Sequence, residues 1–344
     1  MIITPTKSLV ISRTPVRISF FGGGTDYPIY YARHPGVILG TTINQYIHVT
    51  VSETRPFPGH ILDHKLRLVY SKTELVHKVQ EIQHPSIREC LKYMNMNSYI
   101  DVHTISDLPA KTGLGSSSAF TVGFLKALYA FQGIEIFPQK LAEEACFIEQ
   151  KCIQEKVGSQ DQFHAAFGGF NLMEFNASEV LVTPLNLSKE KIEVLENHLM
   201  VFYTGLTRFA DDVLQEQIEK TKDCSNDNIL EKMYEMAYEA KDLLMKESVD
   251  KMVSKFGKLL HESWLLKKQL SNKITNPFID QAYEAAMQAG AYGGKLCGAG
   301  NGGFLTLFAP IESQSKICEK LKDLPKIDIR FEREGSSIIY QRGQ

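Results

Sequence analysis

Three glycine-rich segments and two isolated acidic residues hold most of the chemistry that this 344-residue chain can offer. The middle segment reads Leu108-Pro109-Ala110-Lys111-Thr112-Gly113-Leu114-Gly115-Ser116-Ser117-Ser118-Ala119-Phe120. Gly113 and Gly115 let the backbone turn tightly and approach a ligand with no Cβ in the way. The serines fall where a helix N-cap belongs. A helix start offers free N–H groups and the positive end of the dipole, which suits phosphate. Serine hydroxyls there can also ligate Mg²⁺, a hard cation that takes oxygen. Lys111, in the same loop, can serve a nucleotide. The spacing is not the GxxxxGK[ST] of a Walker loop. A bare GLG would fit an ordinary loop before a capped helix; three consecutive serines after PxxxGLG weigh against that.

The first segment, Arg13-Thr14-Pro15-Val16-Arg17-Ile18-Ser19-Phe20-Phe21-Gly22-Gly23-Gly24-Thr25-Asp26-Tyr27, puts an arginine on a strand and an aspartate after a glycine turn. An arginine buried on a strand needs a carboxylate or phosphate partner. An aspartate at such a turn can accept hydrogen bonds from two hydroxyls of a sugar, or simply make an Asx turn. Glu149 interrupts the apolar row Ala142, Cys146, Ile153 of a helix, where a carboxylate is paired or metal-bound. Asp161, in Gly158-Ser159-Gln160-Asp161-Gln162-Phe163, falls in the first turn of a short helix, whose dipole favours the carboxylate form. The third segment, Gly293-Gly294-Lys295-Leu296-Cys297-Gly298-Ala299-Gly300-Asn301-Gly302-Gly303-Phe304, holds six glycines in eleven residues. It fits either a connecting loop before a strand or a loop that packs on the middle segment and helps shape a site there through Gly298 and Gly300. Cys297 reads as a small core residue. Thr204-Gly205-Leu206-Thr207-Arg208 ends a strand and starts a helix, which makes Arg208 a candidate anion anchor.

Stepping outward to the elements, residues 9–21 and 37–53 are rich in Val, Ile, Thr and Phe and predict two strands around the first glycine turn. Residues 66–70 and 99–105 predict strands, and 74–94 mixed helix. A helix over 116–131 ends at Gly133. Pro138 opens a second, to about residue 155, and 159–167 makes a third before Gly168-Gly169. Strands follow at 170–175, 180–184 and 198–204, then helix almost throughout 208–288. The C-terminal part predicts strands at 303–309, 328–332 and 337–342 and a helix near 312–321. The change of pattern after residue 195 suggests α+β domains over 1–195 and 196–344, with a cleft between them.

Bulk properties narrow the class. The apolar fraction is 43%, the charged fraction 23% and the net charge −2, so neither a nucleic-acid surface nor a polybasic membrane patch is indicated. No apolar run approaches the roughly 20 residues of a membrane helix, and the N-terminal stretch is too short for a signal peptide. A cytoplasmic protein with reduced thiols is expected: the six cysteines form no CxxC pair and no zinc spacing.

PAKTGLGSSSA resembles the central motif of the GHMP kinases, the family named for galactokinase, homoserine kinase, mevalonate kinase and phosphomevalonate kinase. The N-terminal and C-terminal glycine segments resemble the family's other two motifs, in the same order. The resemblance implies an α+β, two-domain GHMP kinase fold, with a ribosomal protein S5 domain 2-like N-terminal domain and a ferredoxin-like C-terminal domain. It implies ATP on Lys111, Gly113, Leu114, Gly115, Ser116, Ser117 and Ser118. It implies Mg²⁺ held by Glu149 and Ser117, with Ser116 and Ser118 as alternatives of register. Asp161 then faces the attacking hydroxyl, and Arg17 supports Asp161 or the transferring phosphoryl. Gly23, Gly24, Thr25 and Asp26 take the acceptor side. Where galactokinases have GEHTD, this chain has Gly23 and Gly24. FGGGTD, like Thr42-Ile43-Asn44-Gln45-Tyr46-Ile47, is instead similar to the heptose 7-phosphate kinases. That similarity implies phosphorylation of the anomeric hydroxyl of D-glycero-D-manno-heptose 7-phosphate to the 1,7-bisphosphate, for nucleotide-activated heptose and capsule or lipopolysaccharide biosynthesis, with Arg208 as the anchor of the sugar phosphate. The other readings are a kinase of an unphosphorylated sugar, fucokinase- or galactokinase-like, and a non-catalytic sugar or nucleotide sensor.

Overall fold

The computed structural model describes residues 7–54, 63–97, 99–109, 113–205 and 210–343, with the side chains of 210–213 left aside. In chain order the elements are β1 (Lys7–Phe21), α1 (Pro28–Tyr31), β2 (Gly36–Glu53), β3 (Leu66–Val69), β4 (Thr73–Val76), α2 (Pro85–Tyr93), β5 (Ile100–Ser106), α3 (Ser116–Phe131) and α4 (Pro138–Phe147). A π-helical turn, Ile148–Cys152, leads to α5 (Gln160–Phe167), β6 (Phe170–Phe175), β7 (Val180–Pro184), α6 (Lys189–His198) and β8 (Leu199–Tyr203). Then come α7 (Ala210–Lys222), α8 (Asp227–Lys246), α9 (Val249–Gln269), α10 (Pro277–Gln288), β9 (Gly293–Leu296), β10 (Phe304–Phe308), α11 (Ile311–Lys320), β11 (Lys326–Ile327), β12 (Phe331–Glu332) and β13 (Ser337–Gly343).

Two sheets organise these elements. The first runs β13-β1-β2-β5-β3-β4, and β2 is long enough to pair β5 with one half and β6 with the other. The register of β1 on β2 jumps between Pro15↔Tyr46 and Val16↔Ile43. That irregularity admits Pro15, which has no N–H to give a regular ladder. It also frees Asn44, whose Oδ1 accepts from the Arg330 N–H at 2.7 Å. The second sheet is β11-β8-β10-β9, antiparallel throughout. Val, Ile, Leu and Phe from both faces of β1 and β2 are buried, which suits β-branched and aromatic side chains between layers. α3, buried nearly all round, lies against β1 and β2. A second apolar cluster centres on Trp264, Phe202 and Leu305 between α9, α10 and the four-stranded sheet.

The α+β organisation around two sheets agrees with the expectation. The segment expected as one domain over 196–344 returns at its end: β12 pairs β2 and β13 pairs β1. Strand pairing at such sequence separation leaves no local signal. Residues 73–76 are a strand rather than part of a mixed helix, with the helix starting only at Pro85. No helix among the described residues is long and apolar enough to cross a membrane.

Candidate active site

One cavity between the domains collects residues from all three glycine segments. Its walls include Arg17, Asp26, Gly113, Asp161 and Gly298. Arg17 is its organising side chain. It points from β1, where its backbone N–H donates to the Leu114 carbonyl at 3.0 Å. Its Nη1 donates to the Gly113 carbonyl at 2.7 Å, and its Nε and Nη2 reach Asp161 Oδ1 at 2.8 and 2.6 Å. One guanidinium thus fixes the middle glycine loop and the carboxylate of α5 relative to each other, as the planar fork of arginine permits. Asp161 remains partly open to solvent on the cavity side.

Asp26 lies across the same cavity, buried. Its Oδ1 accepts from the Gly24 N–H at 3.2 Å, and its Oδ2 from Gln160 Nε2 at 3.0 Å. Burial pushes its carboxyl above the usual range, and the charge of Asp161 adds to the push. Gly158 gives Asp26 its space: a Cβ there would sit 2.0 Å from Oδ2. Gly23 and Gly24 line the cavity, but Thr25 does not. Thr25 Oγ1 donates within reach of the Gly22 and Val37 carbonyls and accepts from the Val37 N–H, so the side chain locks the turn instead of facing an acceptor.

The middle and third glycine loops meet back to back. A Cβ on Gly298 would come 2.5 Å from Gly113 Cα, and one on Gly113 would come 2.7 Å from the Cys297 carbonyl oxygen. Gly113 and Gly298 have φ of +82° and +84°, angles that side-chain-bearing residues avoid. Gly300 departs from expectation. Its missing Cβ makes room for the backbone of Ile274, at 2.7 Å, and it is absent from the cavity wall. Cys297 is buried, with Sγ 3.0 Å from Thr306 Oγ1. Lys111 and Arg208 lie outside the described residues.

Glu149 sits on the π-helical turn with no exposed surface. Burial pushes its carboxyl up to about 7, against the opposing pull of the Thr121, Ser118 and Gln162 side chains. Ser118 Oγ donates to Oε2 at 2.8 Å and Gln162 Nε2 at 2.5 Å, while Oε1 lacks a hydrogen-bond partner of normal geometry. The serine that meets Glu149 is therefore Ser118; Ser117 is exposed on the first turn of α3. The register turns on the helix: Gly115 is the N-cap, so the third serine faces inward. A buried orphan carboxylate oxygen beside a hydroxyl is the hard-oxygen donor set that Mg²⁺ accepts, with phosphate oxygens and water completing its shell.

Two wall residues carried no expectation. Lys267 of α9 and Lys295 of β9 are both buried and both face the cavity. Burial lowers Lys267 to about 7, with the charge of Lys295 adding to it, and lowers Lys295 to about 8. A signal existed for Lys267: it continues the buried row Phe256, Leu260, Ser263 and Trp264 of α9, as Glu149 interrupts its own.

The chain is similar to known proteins over most of its length. Residues 68–169 match the model of the GHMP kinases N-terminal domain, and 244–326 that of the GHMP kinases C-terminal domain. The chain is 32% identical to a D-glycero-alpha-D-manno-heptose 7-phosphate kinase of Campylobacter jejuni over 94% of this chain and 97% of that one. It is 26% identical to a bifunctional fucokinase/GDP-fucose pyrophosphorylase of Arabidopsis thaliana, over 92% of this chain and 31% of that one. Among solved structures, a D-glycero-D-manno-heptose 1-phosphate kinase from Bacteroides thetaiotaomicron has the same fold, with a TM-score of 0.76, 24% identity and coverage of 96% and 99%.

Proposed function

From the premise that this chain belongs to the GHMP kinase family and is an ATP-dependent sugar kinase, we propose that it phosphorylates the anomeric hydroxyl of D-glycero-D-manno-heptose 7-phosphate. The observation that carries the reading is Arg17, which ties Asp161 to the carbonyl of Gly113 while Asp26 faces the same cavity. A phosphate bound on the middle glycine loop and a hydroxyl bound by Asp26 would both come within reach of Asp161. The similarity to the Campylobacter jejuni heptose 7-phosphate kinase supports the choice of sugar.

In this reading the ATP phosphates lie along Gly113–Ser118 at the start of α3, where free N–H groups and the helix dipole favour anions. Mg²⁺ between the phosphates, Glu149 and Ser118 would neutralise charge on the leaving ADP. Asp26 fixes acceptor hydroxyls. Asp161 accepts the proton of the attacking hydroxyl as its oxygen bonds to the γ-phosphorus and the bond to the β–γ bridging oxygen breaks, releasing ADP. Arg17 holds the Asp161 carboxylate in place through Nε and Nη2, so Asp161 orients the hydroxyl whose proton it accepts. Catalysis is then mostly positioning and charge stabilisation.

The test is Asp161→Ala, assayed by coupled ADP release with heptose 7-phosphate, fucose and galactose side by side. ATP affinity should be kept and kcat should fall by a factor of about 10² to 10⁴. Near-normal kcat would remove Asp161 from the mechanism, and equal efficiency with a free sugar would remove the phosphorylated acceptor.

A further inference from the structure

Lys267 and Lys295 are supplied by the second domain; Lys295 reaches across to the first at Phe20, while Lys267 turns back onto the third glycine loop. Lys267 Nζ donates to the carbonyls of Gly298 at 2.6 Å and Leu296 at 3.3 Å, and Lys295 Nζ donates to the carbonyl of Phe20 at 2.9 Å. No carboxylate among the described residues is within ion-pair distance of either. An ammonium carries three donors. Lys267 therefore has one N–H left and Lys295 has two, all at the edge of an open cavity. Two ammonium groups buried side by side without an anion are costly, and proteins seldom keep such a charge without a partner for it. The remaining titratable groups around the pair are Arg17 of β1, Asp26 and Tyr27 after it, Asp161 of α5 and Cys297 after β9. Arg17 is already spent on Asp161 and Gly113. Asp26 is the one carboxylate that acts on both lysines, beside the Cys297 thiol, and it is itself held by Gln160 and Gly24.

We propose that Lys267 and Lys295 form a second phosphate subsite of this cavity, apart from the glycine loop at the start of α3, and that it takes a phosphate dianion. Three unused N–H groups match the three terminal oxygens of a phosphate. The dianion comes from one of two sources, the phosphate already on the acceptor or the terminal phosphate of the nucleotide. Lys267 reaches Gly298, which abuts Gly113, so the subsite adjoins the nucleotide loop; its exposure to Asp26 places it equally beside the acceptor. Binding a dianion favours the charged form of both lysines, so the protein takes up protons as the anion enters.

Calorimetry of the full chain with inorganic phosphate, and with sulfate as an anion that carries no proton at pH 8, reads both consequences. In two buffers of different ionisation enthalpy, sulfate binding to the wild type should consume protons from the buffer. Lys267→Gln keeps a donor for the Gly298 carbonyl without the charge; it and Lys295→Gln should each bind phosphate at least tenfold more weakly and lose part of the proton uptake. Lys267→Arg should retain binding, which separates a charge from a packing role should the glutamine variant fold poorly. Unchanged affinity and unchanged uptake in both glutamine variants would overturn the subsite. Kinetics then assign the source. A KM raised only for a phosphorylated sugar, and not for its unphosphorylated parent, marks the acceptor's phosphate; an equal loss of kcat/KM with both marks the nucleotide's. The isotherms decide the subsite even if no sugar is turned over, an outcome that would defeat only the proposed activity.

Discussion

Gly158→Ala would separate the acceptor half of the site from the nucleotide half. The added Cβ would lie 2.0 Å from Asp26 Oδ2, whereas real Cβ atoms do not come within 3.0 Å of such a neighbour. The carboxylate must therefore retreat by at least about 1 Å, since side-chain atoms yield before backbone. Gln160 donates to Oδ2 from its side chain at 3.0 Å and from its backbone at 3.4 Å, so this movement breaks or remakes both bonds. A hydrogen bond to a charged group contributes about 1.5–3 kcal/mol, and a displacement of about 1 Å in a positioning group lowers rate about 100-fold. The expected result is an acceptor KM raised about 100-fold, or about 2.7 kcal/mol, with the ATP KM unchanged within about twofold, because Gly113 is braced by Arg17 and Gly298 and not by Gly158. Coupled ADP release at varied acceptor and fixed ATP measures it, and circular dichroism confirms the fold. An acceptor KM within threefold of wild type would refute the assignment of Asp26 to the acceptor.

Two further outcomes follow from the same geometry. Gly298→Ala would push a Cβ to 2.5 Å from Gly113 Cα at a φ of +84°, so the ATP KM should rise at least tenfold while binding of the sugar acceptor by a non-turnover titration changes little; a KM shift confined to the acceptor would contradict the back-to-back arrangement of the two loops. The buried lysines also make a stability prediction. Their ordinary value is 10.5 and the folded protein lowers them to about 7 and about 8, so the unfolded chain binds more protons over that range and stability rises with pH from about 7 toward 10. The Tm of the ligand-free protein should climb across this window, and Lys267→Met should raise the Tm at pH 7 more than at pH 10; a Tm that falls steadily over the same window would refute the burial of the pair.

Much of the site was legible because its parts are local. A serine run after GLG, a carboxylate in an apolar helical row and an aspartate at a helix start each announce themselves within a dozen residues. Register was less accessible. Which serine meets Glu149 depends on where α3 begins, and Gly115 as N-cap turns Ser118 inward. β9 was hidden inside the third glycine segment, because Gly293 and Gly294 carry no strand propensity and are held by pairing to Leu307 and Phe308. Lys267 and Glu149 carry the same local signal, a charge on a buried helical row. Thr25 carries a motif signal but its hydroxyl serves its own turn. The return of β12 and β13 to the first sheet had no local trace at all, since its partners are more than 280 residues away.

That returning strand sets the order in which the molecule can be completed during synthesis. β13 covers the outer edge of β1 from Lys7 to Arg13, yet it is translated after every other described strand. Throughout translation of the second domain, the nascent first sheet carries an open edge along β1, the strand that holds Arg17, and open edges invite pairing with other chains. The first sheet is complete only once the second domain has been made. Deleting β13 would be felt more than 300 residues away, along the strand from which Arg17 projects.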